Sequence, residues 1–299
     1  TRMLRSWSLR GDDAQCTPVR RRRANRARLI ARRCGLLGPH RDRGVDGCGN
    51  PAKYLEAGET VLDLGSGAGK IAFIAAQVVG PAGRVIGVDM TDEMIEVARR
   101  NASIVAQNIG YANVEFRKGR IQDLGLDFKK VEAHLNENSI DNCDKLFRFQ
   151  EWLADQRARA PLIGPNSIDC VVSNCVLNLV NAAAKQELFG EIYRVLKPGG
   201  RAVILDIVAN REVPLEMQKN AELWSGCISG ALTESAFIEA FEQAGFYGIG
   251  ILTRDATPWR VVEGIEFRSI TVRAFKKSLG EQAAVDLAKR ESCLGEKCC

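Results

Sequence analysis

From Gly58 onward, short apolar runs alternate with segments of helical periodicity. This is the pattern of a mostly parallel sheet covered by helices on both faces. Residues 60–64 (TVLDL) predict the first strand and 70–79 its helix. Residues 84–88 predict the second strand, and 91–108 a helix started by Thr91 as N-cap with acids in its first turn. The third strand is expected at 114–118 and the fourth at 168–173, followed by a helix through 196. Residues 197–200 (KPGG) read as a turn before a fifth strand at 201–207. A helical region then runs to Gly245, with further strands at 249–253 and 268–275. Between strands three and four, the charged stretch 126–165 carries helical periodicity around 131–135 and 146–153 and reads as a helical insertion.

Composition narrows the class. Apolar residues at 45% and charged residues at 26% are ordinary for a globular enzyme. No apolar run approaches the ~18 residues of a spanning helix, so no membrane association is expected. The start has no apolar signal core, and its arginines come with too few serines for a transit peptide. A cytoplasmic location is the expectation. The net charge of +5 divides unevenly: residues 1–47 hold 13 Arg, no Lys and 4 Asp, whereas the remaining 252 residues carry −4. Such a run can bind nucleic acid, yet no aromatic interleaves with Arg20–Arg23, and a solvated, poorly ordered extension is expected instead.

VLDLGSGAGK joins the first strand to its helix through Gly65, Ser66, Gly67 and Gly69. Glycines here let backbone amides approach a ligand at a helix N-terminus. A dinucleotide fingerprint reads GxGxxG; this loop reads DxGxGxG, with Asp63 ahead of it. A pyrophosphate disfavours a nearby carboxylate, but the ammonium of S-adenosylmethionine suits one. Asp89, at the end of strand two, can accept from both ribose hydroxyls, with Met90 flanking the adenine. Gly49 and Asn50 precede the first strand and can close over the ligand. Loop, acid and strand order together resemble the class I S-adenosylmethionine-dependent methyltransferases. That resemblance makes Ile121, in GRIQDL, an adenine contact; Gln122 stands where close relatives carry an acid.

Ten cysteines with no CxxC, and only His40 and His134 as imidazoles, fit neither a disulfide scaffold nor a Cys/His zinc site. Cys170, inside strand four, reads as core, and Cys143 as incidental. Cys175 lies two residues after strand four, on the rim where open α/β sheets bind ligands. Cys227, in WSGCISGAL, sits in a region that can fold back over that rim. Cys48 sits in a glycine-rich turn leading into strand one. Taken singly, Cys175 can be a small buried hydrophobe and Cys227 a close-packing residue. Taken together, three thiolates without a fourth ligand do not suit structural zinc, which is four-coordinate. They suit trivalent arsenic, a soft centre whose exposed lone pair can displace a sulfonium methyl without a general base.

GCGNP, SNCVLNLV, CISGAL and VVEGIEFRSITVRAFK, over residues 46–276, resemble arsenite methyltransferases. The resemblance implies that Cys175 and Cys227 bind As(III), that Cys48 is a third thiol shuttling through a disulfide, and that Asn174 and Leu177 lie near the methyl donor. Arsenite and methylarsenite are the implied substrates, thioredoxin or glutathione the reductant, and a monomer the expected state. The expected fold is the Rossmann-like class I methyltransferase, a seven-stranded, mostly parallel sheet with a small C-terminal thiol-bearing region. Residues 1–47 form the extension, 48–210 the cofactor domain with insertion 126–165, 211–276 the arsenic-binding region and 277–299 a tail with Cys293, Cys298 and Cys299. The pattern departs from the family at the ends. Residues 17–45 lack its usual N-terminal segment, Cys16 matches a remnant of it, and Cys34 has no counterpart. Two other readings stand beside this one. The first is a methyltransferase of an organic small molecule such as a quinone or sterol precursor, which needs a base such as His134. The second is an Arg-tailed nucleic-acid binder on a vestigial fold.

Overall fold

In the computed structural model, which describes residues 49–278 and residue 280, eight strands share one sheet. They are β1 (Thr60–Leu64), β2 (Arg84–Asp89), β3 (Val114–Lys118), β4 (Ile168–Asn174), β5 (Leu196–Ala209), β6 (Tyr247–Arg254), β7 (Arg260–Val262) and β8 (Ile265–Phe275). The order is β3-β2-β1-β4-β5-β8-β6, with β7 paired to β8 off this path. Neighbours from β3 through β5 are parallel; β8 runs antiparallel to β5, β6 and β7. Successive strands move outward one way from β1 to β3 and the other way from β4 to β5. The crevice between β1 and β4 is therefore a topological switch point, where open sheets of this kind bind ligands. The path has the expected seven strands. The eighth, β7, has two exposed residues out of three and so carries no apolar signal in the sequence.

Central strands buried on both faces read as apolar runs, and β1 is buried from Val61 to Leu64. Helices α1 (Lys70–Val79) and α2 (Asp92–Ile109) cover one face over Val61, Val85, Cys170, Val172 and Val203. On the other face α5 (Lys185–Val195) and α8 (Glu234–Gln243) pack through edge-to-face contacts of Phe189 with Phe237 and Phe241. The insertion forms α3 (Phe128–Glu137) and α4 (Cys143–Arg159), neither with a buried residue. His134 stacks on Trp152 between them, ring centroids 4.0 Å apart. The short helices α6 (Leu215–Gln218) and α7 (Ala221–Ser225) lead into the Cys227 loop.

Thr91 is the N-cap of α2, with Asp92 and Glu93 in the first turn, as expected; its side chain makes no capping bond, and its amide donates to the Asp89 carboxylate at 2.9 Å. Two local expectations are corrected. The helix expected from the end of β4 is broken into 3-10 turns at Leu177–Leu179 and Ala182–Ala184 before α5. The cause is the Asp206 carboxylate, which accepts the amides of Leu177 and Asn178 and so offers the backbone an alternative to helical bonds. KPGG lies within β5, which starts at Leu196 and pairs with β4 through a register shift. The expected tail, 277–299, is described only at 277, 278 and 280, and the 1–47 extension lies outside the described residues.

Candidate active site

The glycine loop turns directly off β1. The amides of Gly65 and Ser66 both donate to the Val88 carbonyl, at 2.8 and 3.0 Å, which bends the chain sharply towards α1. Gly65 has φ 66°, and a Cβ there would lie 2.3 Å from Val176, the residue after Cys175. The cofactor loop and the thiol loop are thus packed directly against each other. Gly67, also at positive φ, faces open space, and its amide donates to Asp89 at 2.9 Å.

Asp63 is buried beneath this loop. Burial pushes its carboxyl up to about 8; a backbone hydrogen bond from Ala72 opposes the shift and the charge of Asp89 adds to it. Its Oδ2, like the Ser66 hydroxyl, has no hydrogen-bond partner among the described residues. A buried carboxylate oxygen left unpaired is costly unless a ligand donor completes it. Its place below an open glycine turn fits the ammonium end of S-adenosylmethionine. Met90 beside Asp89 is 59% exposed, a free apolar face on the rim. Ile121 is packed in the core below.

The thiol loops come together at the same rim. β4 runs to Asn174, one residue beyond expectation, so Cys175 follows it immediately. The Cys175 amide donates to Leu205 of β5 at 2.8 Å. Cys227 donates its Sγ–H to the Cys175 carbonyl at 3.0 Å, and both residues pack on the cluster formed by Ile207, Met217, Ile228 and Phe267. Both have left-handed backbones, Cys175 at φ 56° and Cys227 at φ 60°. That region is uncommon for residues with a side chain and marks strain held by the surroundings. Burial pushes the Cys227 thiol up to about 11, with Asp206 reinforcing and Lys185 opposing the shift. Cys175 is disulfide-bonded, while Cys143, Cys170 and Cys227 are free. Asn174 donates to the Gly49 carbonyl at 3.1 Å, which ties the segment before β1 to the end of β4.

A buried polar network underlies these loops, and Asp206 and Lys185 in it have no local signature in the sequence. Asp206 accepts from the amides of Leu177, Asn178 and Ile207. Lys185, also buried, donates to the Leu177 carbonyl at 2.9 Å. Burial raises the Asp206 carboxyl and lowers the Lys185 ammonium, and each charge partly offsets the other's shift. An asparagine inside the apolar run VLNLV is the one sequence signal that marks Asn178.

The structure therefore brings Asp63, Gly65, Ser66, Gly67, Asp89, Asn174, Cys175 and Cys227 to one end of the sheet. The Leu177 side chain is directed into the core. Cys170 is fully buried in β4, and Cys143 is exposed on α4. Cys48 lies outside the described residues. Among the described residues no three His, Cys, Asp or Glu side chains are grouped to hold a metal ion. No described helix is long and apolar enough to cross a membrane.

Residues 55–245 match a family described as a methyltransferase domain. A protein of Halobacterium salinarum, an arsenite methyltransferase, is 41% identical over 211 residues, covering 70% of this chain and 43% of its own length. The arsenite methyltransferase of Aquipseudomonas alcaligenes is 35% identical over 235 residues, covering 79% and 54%. Among solved structures, an arsenic(III) S-adenosylmethionine methyltransferase from Chlamydomonas reinhardtii superposes with a TM-score of 0.56 at 29% identity, covering 74% of this chain and 64% of that one. The chain spans about half the length of the curated relatives it matches.

Proposed function

The chain belongs to the methyltransferase-domain family, and from that premise we propose that it transfers methyl groups from S-adenosylmethionine to trivalent arsenic held by cysteine thiolates. The observation that carries the reading is the packing of Cys175 and Cys227 against each other, with the Cys175 loop pressed onto the glycine loop through Val176 and Gly65.

S-adenosylmethionine supplies an electrophilic methyl group on a sulfonium. Asp63 would hold its ammonium, Asp89 its ribose hydroxyls, and Met90 and Ile121 its adenine, with the turn at Gly65–Gly69 and Asn174 beside it. Cys175 and Cys227 would hold arsenite or methylarsenite as substrate, keeping the arsenic trivalent and its lone pair exposed. That lone pair forms the new As–C bond while the methyl–sulfonium bond breaks, so arsenic is formally oxidised by two electrons. Two thiols closing to a disulfide return those electrons, and thioredoxin or glutathione reopens the disulfide.

Cys48 is the third thiol in this reading. It precedes Gly49 in the chain, and the Gly49 carbonyl accepts a hydrogen bond from Asn174, the neighbour of Cys175. Arsenic transfer of this kind needs no general base, and His134, the imidazole an organic acceptor would call on, is stacked against Trp152 on the insertion. A monomer is sufficient for this chemistry, because every residue invoked lies on one chain. A cytoplasmic protein kept reduced by thiols fits the same scheme.

The test is turnover. Reduced protein is incubated with arsenite, thiol and methyl-labelled S-adenosylmethionine, and the arsenic species are separated. Labelled methylarsenicals are expected; arsenic that stays unlabelled with protein that binds S-adenosylmethionine would overturn the reading.

A further inference from the structure

We infer that Asn178 sets the separation of the Cys175 and Cys227 sulfurs by fastening the loop that carries one to the loop that carries the other. The inference rests on reading these two thiols as the arsenic-binding pair.

Asn178 is buried three residues after Cys175. Its Nδ2 donates to the Ile207 carbonyl on β5 at 2.7 Å and to the Cys227 carbonyl at 3.2 Å. Both amide hydrogens are thus committed, one to the sheet and one to the opposite thiol loop. Burying a primary amide in an apolar surrounding is unfavourable unless its donors are paired, so the side chain has a strong preference for this bridging position. A second contact lies between the same loops. Gly230 backs onto Asn178 so closely that a Cβ there would lie 2.0 Å from the Asn178 carbonyl oxygen. The Cys227 Sγ–H to Cys175 carbonyl bond is the third contact between the loops. It must be given up when the thiol becomes a ligand. Asn178 and Gly230 remain to hold the spacing when that happens.

Spacing matters because the second thiolate binds intramolecularly. Its effective concentration is set by how well the geometry is held. A trivalent arsenical bound by two sulfurs feels that geometry, whereas alkylation of one sulfur does not. Asn178 is therefore a positioning residue, and its effect is measurable as a ratio between two-thiol and one-thiol chemistry.

Reduced wild-type protein and the variants Asn178→Asp, Asn178→Ala and Gly230→Ala are titrated with phenylarsenoxide, a trivalent organoarsenical with two exchangeable sites. Iodoacetamide alkylation of Cys227, followed by mass spectrometry, reports the single thiol. Asn113→Asp is the matched control. Its amide also bridges two carbonyls, of Ala76 and Gly80, but just before β3, at the opposite end of the sheet. The Asn178 and Gly230 variants should bind phenylarsenoxide about tenfold or more weakly, with Cys227 alkylation and S-adenosylmethionine affinity within about twofold of wild type. Asn113→Asp should keep wild-type arsenical affinity even where its melting temperature falls. Wild-type affinity in folded Asn178→Asp or Gly230→Ala would overturn the inference alone, as would an equal loss in Asn113→Asp. Failure of the wild-type protein to bind the arsenical would overturn the reading beneath it and the inference with it.

Discussion

At residue scale, the two proposed arsenic ligands sit where a side chain is least comfortable. A left-handed backbone costs a non-glycine residue about 1–2 kcal/mol, and both Cys175 and Cys227 accept it. Cys227→Gly should therefore unfold at higher denaturant than Cys227→Ser, by about 1 kcal/mol. Both should lose arsenite methylation while still binding S-adenosylmethionine. Equal stabilities would show that the backbone at Cys227 is unstrained. Asp63 makes a separate prediction. Its folded pKa, about 8, lies above the unfolded carboxylate value, so its contribution to stability is present in acid and is lost as pH rises towards 8. Holding an ammonium requires the carboxylate, so cofactor binding must expel the proton across that range. S-adenosylmethionine affinity measured by calorimetry should tighten between about pH 6 and about pH 7.5, with proton release. Asp63→Asn should flatten that dependence.

At the scale of elements, the site depends on loops that leave no slack. Gly65→Ala puts a methyl group on Val176 in a backbone that disfavours any side chain. It should abolish measurable S-adenosylmethionine binding in equilibrium dialysis and displace Cys175 with it. Asp206 and Lys185 anchor the turn between β4 and α5, Asp206 through the Leu177 and Asn178 amides and Lys185 through the Leu177 carbonyl. Weakening the acceptor leaves buried amides poorly satisfied. Asp206→Asn should cost about 1–3 kcal/mol in denaturant unfolding. A loss within experimental error would remove Asp206 from that role. These elements also show where sequence reading succeeds. β1 and α1 have the bounds expected from their apolar runs, because they are buried and the hydrophobic signal is continuous; β3, an edge strand with only Phe116 buried, also has the expected bounds. The turn at Leu177–Leu179 was legible only as helix. Its amides go to a carboxylate 28 and 29 residues away, and no local periodicity encodes that. Asn178, Lys185 and Gly230 were missed for the same reason: each acts through a tertiary contact. The Cys175–Cys227 approach was foreseeable only from topology, which places both at the carboxyl end of the sheet.

For the molecule as a whole, the switch point between β1 and β4 explains why two unrelated signals, a glycine loop and a cysteine pair, meet. β1 delivers the loop and β4 delivers Cys175, while β5 and the segment after it return Cys227 to the same rim. None of these parts comes from the arginine-rich segment, which carries +9 against −4 for the rest of the chain. Removing residues 1–45 should leave arsenite methylation unchanged in the turnover assay. Activity that disappears with the segment would favour the nucleic-acid reading. The central claim is that sulfur from these cysteines holds arsenic. Arsenic K-edge absorption on the reduced protein loaded with one equivalent of arsenite reads that shell directly, in wild type and in Cys175→Ser and Cys227→Ser. An all-sulfur shell in the wild type that gives way to oxygen in each variant is the expected result. An oxygen shell in the wild type, or a sulfur shell unchanged in both variants, would contradict it.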